Sequence, residues 1–258
     1  MIKKLFLTTC LLLICSTSWA TNYCNDANCK GCWGMEDATT ENDLSANNED
    51  LTVSAGDTIE QNADKKFGTY SRDFELNDAN YLTHADGGST EINGANQAIS
   101  ICAWYKPESS TSTQYLVAKY NVGTSNRQYA IGAATLVPRM LIDDDGAGAT
   151  IALGATTMST ATWYHICGVY NDTDMRVYLN GTLDSNGANN PKTYSAGIFN
   201  GTATFNIGSA SDPNNYSDGL VDDVCIFNRE LSSAEVSDIY INGCQGTVAA
   251  ARRVILIQ

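Results

Sequence analysis

Two strand-like segments, each with one cysteine near its centre, constrain the fold of this chain more than any other feature. Side chains alternate between the two faces of a β-strand. Cys102 and Trp104 therefore share one face of the first segment, and His165 and Cys167 share one face of the second. If the two cysteines bond, these two faces are the same face of neighbouring strands. The segments are residues 99–105 and 163–170.

The rest of the chain has the same character, because short β-rich runs alternate with turn residues. Many short strands separated by turns favour a two-sheet sandwich or jelly roll over alternating strand–helix units. Asn180-Gly181 predicts a tight hairpin, since both central positions of a type I′ turn need positive φ. The predicted strands are 69–76, 80–84, 98–105, 114–120, 128–135, 139–143, 150–154, 163–170, 175–180, 203–208 and 219–227. Residues 38–66 are polar and predict a long surface loop with at most one short strand, near Leu51-Thr-Val53.

One helix is expected near the C-terminus. Ser232 and Glu235 form a capping box, in which each side chain can bond the backbone N–H of the other residue. Val236 and Ile239 then fall on one helical face, and Gly243 can end the helix. The fold class is therefore all-β, with one short C-terminal helix.

The N-terminus has the pattern of an export signal. Lys3 and Lys4 precede an apolar run of 11 residues, 5–15, and small residues lead to a cleavage position after Ala20. The run is shorter than the ~20 residues that span a bilayer, and no later segment is long enough, so no transmembrane anchor is expected. The predicted product is secreted or periplasmic. The predicted units are a signal peptide at 1–20, a cysteine-bearing lead-in at 21–31, a jelly-roll domain at 32–245 and a C-terminal tail at 246–258.

The charge of the chain excludes some partners. The formal net charge is −14, and removal of the signal takes it to −16. Such a surface repels nucleic acid and anionic membranes. It suits a soluble protein outside the cytoplasm, or one that uses calcium.

Seven cysteines remain after the signal is removed, and most should pair in an oxidising compartment. The number is odd, so one is left free, capped, or used between chains. The spacing of the first three also matches part of an iron–sulfur motif and faintly suggests zinc, but disulfides explain the same residues. The seven are Cys24, Cys29, Cys32, Cys102, Cys167, Cys225 and Cys244.

Six pieces of the chain, in order, resemble the laminin-G-like or concanavalin A-like jelly roll. The resemblance covers about residues 32–243 and implies two antiparallel sheets and a scaffold used for binding. The pieces are Phe67-Gly68 and Phe74 with Tyr81-Leu82; 99–107; Trp163-Tyr-His165; Val177-Tyr-Leu-Asn180-Gly181; Phe205-Asn-Ile-Gly208; and 221–232.

The resemblance to the pentraxin branch of this family implies a disulfide between Cys102 and Cys167. Such a bond requires neighbouring strands, because its Cα atoms must lie within ~7 Å. His165 would then be a core histidine packed beside the bond rather than a ligand or a base. Chain ends of this fold usually lie near each other, so Cys225 and Cys244 could pair with two of Cys24, Cys29 and Cys32, but the sequence does not determine the connectivity beyond Cys102–Cys167.

Calcium is the metal that the resemblance implies. Related jelly rolls hold a structural calcium between the first and the closing strand, and the matching residues here are Glu36 or Asp37 and Asp222. Hard carboxylate oxygens suit this ion. The alternative is that Asp222 only hydrogen-bonds locally. The acidic cluster of the pentraxin ligand site would fall on 209–212, where Asp212 alone is acidic, so that site is not expected here.

The sequence contains no arrangement typical of an enzyme of this fold. Glucanases that share the fold carry spaced carboxylates on one strand face. Here the acidic residues are adjacent, as in Asp143-Asp144-Asp145 and Asp222-Asp223, so in a strand they point to opposite faces and read as solvated turns or strand ends. A glycoside hydrolase is thus the least favoured hypothesis, and no catalytic residue is predicted.

Two binding hypotheses remain. A lectin-like protein would bind a glycan through aromatic side chains near loops, and the candidates are Tyr115, Tyr120, Tyr129, Tyr194 and Tyr216. A structural or adhesive protein would bind a cell-surface protein through an apolar patch, the odd cysteine, or the apolar tail at 254–257. The sequence does not identify ligand-binding residues.

Overall fold

The computed structural model describes residues 20–54, 59–110, 113–210 and 215–246. Residues 1–19 of the predicted signal peptide and all of the predicted tail except Gly246 lie outside the described residues. No helix in the described part is long and apolar enough to cross a membrane. The strands are β1 (Cys29–Trp33), β2 (Thr40–Glu41), β3 (Leu51–Val53), β4 (Glu60–Asn62), β5 (Ser71–Phe74), β6 (Leu82–His84), β7 (Ile99–Pro107), β8 (Thr113–Asn121), β9 (Asn126–Ala134), β10 (Val137–Ile142), β11 (Thr150–Leu153), β12 (Tyr164–Tyr170), β13 (Asp174–Leu179), β14 (Thr182–Leu183), β15 (Lys192–Thr193), β16 (Phe205–Ile207) and β17 (Gly219–Phe227), and the helix is α1 (Ser233–Asn242).

The strands form two antiparallel sheets, which confirms the predicted all-β jelly-roll class. Sheet A has the order β14-β13-β12-β7-β17-β5-β4, with β1 also paired to β17 and β15 to β13. Sheet B has the order β11-β10-β9-β8-β16-β6-β3-β2. The main core lies between the sheets, where Trp33 and Phe205 stack with ring centroids 5.1 Å apart.

The structure departs from the sequence prediction mainly near the N-terminus. β1 begins at Cys29, inside the predicted lead-in, and pairs with β17. The lead-in is therefore partly a strand of the sandwich. The predicted loop at 38–66 contains three short strands, at 40–41, 51–53 and 60–62, rather than one. Two or three polar residues carry too little periodicity to predict a strand when edge pairing alone defines it.

Sheet A is buried on both faces at its centre. Every residue of β17, and all of β7 except Lys106, is buried. The inner face belongs to the main core. A second apolar cluster covers the outer face, where α1 contributes Val236 and Ile239. All seven cysteines lie in this outer layer.

The predicted helix cap, helix end and hairpin turn are confirmed. Ser232 accepts from the Glu235 amide, and the Glu235 carboxylate accepts from the Ser232 amide. The Gly243 amide bonds Ile239 O at the helix end. Asn180 and Gly181 have φ of 49° and 77°, as the turn requires.

Three disulfides cross-link the outer layer of sheet A. The Cys102–Cys167 bond joins directly paired residues of β7 and β12, with Cα atoms 4.1 Å apart. The sequence left the other two pairings open, with Cys225 and Cys244 offered as partners for two of Cys24, Cys29 and Cys32. Cys225 bonds Cys244 instead, because the chain leaving α1 returns to β17. Cys24 bonds Cys32 within the lead-in and β1.

Cys29 is the odd cysteine among the described residues, and it is free and buried. It is 1% exposed, which excludes a bond to another chain in the folded state. Burial, the largest cause, raises the pKa of the Cys29 thiol to about 12, so the thiol is inert at neutral pH.

A bulge in β17 changes the direction of two carboxylates. The register of β17 on β7 shifts between Asp222 and Cys225, and Asp223 has a φ of 46°. Asp222 Oδ2 accepts from the Lys66 and Phe67 amides at 2.7 and 3.0 Å. Asp223 Oδ2 accepts from the Cys244 amide at 2.9 Å. The expectation that these neighbours point to opposite faces is wrong, because the bulge breaks the strand alternation there.

Loss of the Cys102–Cys167 bond should destabilise the fold more than loss of the Cys225–Cys244 bond. The two bonds close loops of 65 and 19 residues, for which chain entropy gives about 4 and about 3 kcal/mol. Double alanine variants of each pair, compared by urea unfolding, measure the difference. Equal losses would mean that packing in the outer layer, rather than loop closure, sets the contribution.

Protein stability should fall as pH rises from about 4 to about 8. Burial, the largest cause for both groups, raises the pKa of Asp222 to about 8 and that of Asp223 to about 7, from 3.8. Their folded-state pKa values lie above the unfolded value, so the stability contribution is full below the unfolded pKa and is lost through the folded pKa. Unfolding midpoints in urea at pH 5 and pH 8.5, with chelator present, measure this loss.

The Asp222→Asn variant should show a smaller fall in stability over that range. Asp184→Asn is the matched control, since Asp184 also accepts from two backbone amides, of Ala155 and Thr156, at an exposed site. The control should keep the wild-type pH dependence. An unchanged dependence in Asp222→Asn would contradict the assignment to this carboxyl.

Candidate functional site

The residues predicted to bind calcium accept hydrogen bonds from backbone amides and a side chain, and they do not form a cluster of carboxylates. Glu36 Oε1 accepts from the Thr69 amide at 2.7 Å, as Asp222 does from the preceding residues of the same loop. Asp37 Oδ2 bonds the Asn42 side chain. Two groups of three acidic residues in the described chain have carboxylate oxygens within 4.8 Å of one another, and neither group includes these residues. Calcium at Glu36, Asp37 and Asp222 stays a prediction.

One acidic group lies in the turn between β10 and β11. Asp143 is fully buried, and its Oδ1 accepts from the Asp145 and Gly146 amides at 3.0 and 2.9 Å. Asp144 and Asp145 are exposed. The reading of this run as a solvated turn therefore fits only two of its three residues. We call residues 143–146 the acidic turn.

The acidic turn has the donor chemistry of a cation site. Asp143 Oδ2 is buried and has no hydrogen-bond partner among the described residues. Burial, the largest cause, raises the pKa of Asp143, whereas the Ala147 amide lowers that of Asp145. A hard cation would supply the missing partner for Asp143 Oδ2, because oxygen ligands are the ones that calcium prefers.

An open groove lies beside the acidic turn at the same end of sheet B. Its volume is about 490 Å³. Gly146 packs against its wall, since a Cβ on Gly146 would lie 2.7 Å from the Phe199 ring and 2.5 Å from Ser125 O. Amide and hydroxyl side chains dominate the lining beside one aromatic ring. The lining residues are Thr124, Ser125, Asn126, Phe199, Asn200, Gly201 and Thr202. We call this the rim groove.

Two stacked tyrosines lie between two arginines on the outer face of sheet B. Tyr115 and Tyr120 stack with centroids 5.5 Å apart. The Arg139 guanidinium lies 5.1 Å from the Tyr115 ring centre, and that of Arg127 lies 5.9 Å from the Tyr120 ring centre. Gly132 pairs with both Tyr115 and Arg139, so the missing side chain between them lets the arginine reach the ring. We call these four side chains the Arg–Tyr ladder.

The ladder contains polar atoms without partners. Nε and Nη2 of Arg139 and Nε of Arg127 are buried and form no hydrogen bond within the described chain. Tyr115 and Tyr120 are each 5% exposed, so the rings are packed rather than open. The ladder is therefore a packed layer beneath the rim rather than an open stacking platform.

The predicted aromatic candidates divide between core and surface. Tyr129 is fully buried in the main core, and Tyr194 donates to Gly197 O from a buried position. Tyr216 stacks on Tyr81. Phe199, which lines the rim groove, was not predicted. Its only sequence signal is its place next to Asn200-Gly201, a pair of residue types that favour turns.

Arg139 was also missed by the sequence analysis, although a signal existed. It interrupts the apolar strand β10, which is otherwise Val, Pro, Met, Leu and Ile. On that strand it shares a face with Leu141 and Asp143 by alternation. A lone arginine in an apolar strand indicates a specific partner or an unusual neighbour, here a tyrosine ring across a glycine.

A second groove lies on the outer face of sheet A, beside the end of α1. Its volume is about 350 Å³, and Lys66, Phe67, Trp104, Tyr240 and Ile241 line it. The Lys66 ammonium lies 4.1 Å from the Trp104 ring centre. Tyr240 stacks on Trp104 at 5.3 Å. We call this the helix groove.

His165 lies under the helix groove and is fully buried, with its ring 5.5 Å from that of Trp104. Burial lowers the pKa of His165 to about 3, so the ring is neutral at any physiological pH. It packs in the outer layer of sheet A, paired opposite Trp104.

Solved structures with the same fold include binding domains. The binding domain of Paraclostridial mosquitocidal protein 1 matches with a TM-score of 0.64 and 17% identity, over 83% of this chain and 52% of that one. The binding domain of botulinum neurotoxin serotype G matches at 0.62 and 14%, over 83% and 51%. This chain thus spans about half the length of the toxin domains it matches.

Domain 4 of an extracellular arabinanase from Geobacillus stearothermophilus, solved in complex with arabinotriose, matches along nearly its whole length. The TM-score is 0.59 and the identity 19%, over 83% of this chain and 98% of that one. No curated protein matches the chain in sequence. The sequence profile of the concanavalin A-like lectin/glucanases superfamily matches residues 76–237. The chain belongs to the concanavalin A-like lectin/glucanase superfamily.

Proposed function

We propose that this protein is a secreted, non-catalytic carbohydrate-binding protein that binds its glycan at the rim groove. The observation that carries the proposal is the composition of that groove, in which amide and hydroxyl side chains surround the half-buried Phe199 ring. Sugar sites combine an apolar ring face with a few placed polar groups. The arabinanase domain, with its bound arabinotriose, supports the same class of ligand for this fold.

Each part of the rim would have a distinct role. Phe199 would stack on a sugar ring, while Asn200 and Thr124, both exposed, would bond its hydroxyl groups. A calcium ion at the acidic turn would hold the turn against the groove wall. The Arg–Tyr ladder would keep β8, β9 and β10 rigid beneath the loops.

Export is part of the same proposal. Disulfides form and persist in oxidising compartments, and three of them lie in the outer layer. The predicted N-terminal signal supports the same route. Retention in the periplasm and release from the cell are both compatible with these features.

Phe199→Ala should lower glycan affinity about tenfold, equivalent to about 1.4 kcal/mol, because the stacking surface is lost. A glycan array with the mature wild-type chain, with calcium and again with chelator, identifies the ligand, and titration calorimetry measures the variant. Tyr70→Ala is the control, since Tyr70 is 37% exposed and lies outside the rim groove. No binding by folded wild-type protein in either condition would contradict the carbohydrate proposal.

Calcium should raise the melting temperature of the wild-type chain and leave that of Asp145→Asn unchanged. An ion at one hundred times its dissociation constant stabilises by about 2.7 kcal/mol. Glu75→Gln is the matched control, because Glu75 belongs to the other acidic group, with Asp73 and Glu108. A calcium shift that survives in Asp145→Asn and disappears in Asp222→Asn would place the ion between the first and closing strands instead.

The helix groove supports a second candidate function, the binding of a protein partner. Ile241 is 63% exposed beside Phe67 and Tyr240, which gives an apolar edge to the groove. Among residues the structure describes, Ile241 is the most exposed large apolar side chain. Ile241→Asp should then abolish partner capture and leave glycan binding intact. Loss of glycan binding in that variant would contradict the separation of the two sites.

A further inference from the structure

Lys119 is a fully buried lysine that the proposed function does not use. It lies in the middle of β8, and its register partners on the two neighbouring strands are Phe205 and Tyr129. Paired residues of adjacent strands share a face, so the lysine stem packs between two fully buried aromatic residues. A lysine amine is a nucleophile once it loses its proton.

The lysine amine is held against two carboxyl groups from the loop that follows β6. Lys119 Nζ donates to Asp86 Oδ1 and lies 3.0 Å from Glu91 Oε2. Glu91 Oε1 accepts from the Gln128 side-chain amide at 3.0 Å, which fixes this carboxyl group beside the lysine. The lysine nitrogen thus contacts two carboxyl groups, one that can supply an electrophilic carbon and one that can carry protons.

We propose that Lys119 and Asp86 form an intramolecular isopeptide bond, with Glu91 as the proton shuttle. Proton transfer from the ammonium to Asp86 converts the ion pair to a neutral amine and a neutral acid without changing the net charge. The amine then attacks Asp86 Cγ, forming the N–C bond. Glu91 transfers a proton to the departing hydroxyl group and takes one from nitrogen, so that one water molecule leaves and no oxidant or reductant is consumed.

The surroundings of the triad are suited to this condensation. The Lys119 side chain is 0% exposed, whereas Asp86 is 36% exposed and Glu91 22%. Buried stems hold the reacting atoms together, which raises their effective concentration. The partly open side at Asp86 gives the released water an exit. The product would fix the loop at 85–92 to the central strand of sheet B.

The mass of the wild-type chain, allowed to fold and afterwards reduced and alkylated, tests the proposal. The expected mass is lower by one water, about 18 Da, than the mass calculated for the same chain with every cysteine alkylated, which is the stoichiometry of one amide condensation. Peptide mapping should show residue 86 joined to residue 119 and no tryptic cleavage after Lys119. A wild-type chain at its full sequence mass, cleaved after Lys119, overturns the proposal and leaves the triad a buried ion pair.

Lys119→Arg separates the cross-link from a succinimide at Asp86-Gly87, which would also release one water. The variant keeps the positive charge but cannot form the amide, so the lower mass should vanish. A lower mass that persists in Lys119→Arg overturns the proposal.

Glu91→Gln should keep the disulfides and the fold but lose the cross-link. Asp86→Asn should form it with loss of ammonia, about 17 Da, in place of water.

Discussion

The two-sided burial of β7 and β17 is the constraint on which the rest of the structure depends. An antiparallel sheet commonly leaves one face to solvent. Here the outer face of sheet A is apolar, so the chain must cover it after the sandwich is complete. Helix α1 and the disulfides form that cover. The position of α1 in turn creates the helix groove beside Trp104.

The outer face of sheet B is covered without a helix. This face carries tyrosines packed under arginines, and Gly132 allows the closest of these contacts. Aromatic rings and guanidinium groups both tolerate partial burial, because each has a flat face that excludes water and an edge that is polar. The loops above them can then be polar, and the rim groove and the acidic turn both lie there.

Strand alternation and turn residues predicted most of the fold. Residues 219–227 were predicted as one strand and form β17 with those bounds, since an apolar run between turns has few alternatives. The bulge at Asp222 was not predictable, because nothing in the local sequence marks a change of register. The partner of Cys244 was left open for a related reason, since pairing depends on where α1 returns the chain. The acidic turn was visible in sequence, but the burial of Asp143 depends on distant residues.

The buried thiol of Cys29 has a consequence for how the protein matures. Cys24, Cys29 and Cys32 are close in sequence, so chain entropy barely distinguishes the three bonds that they can form. The pairing of β1 with β17 does distinguish them, because it sets Cys29 opposite Phe227 and Cys32 opposite Cys225. Oxidation before this pairing would give a mixture of the three possible bonds. Selective formation of the Cys24–Cys32 bond therefore depends on β1 having already paired with β17.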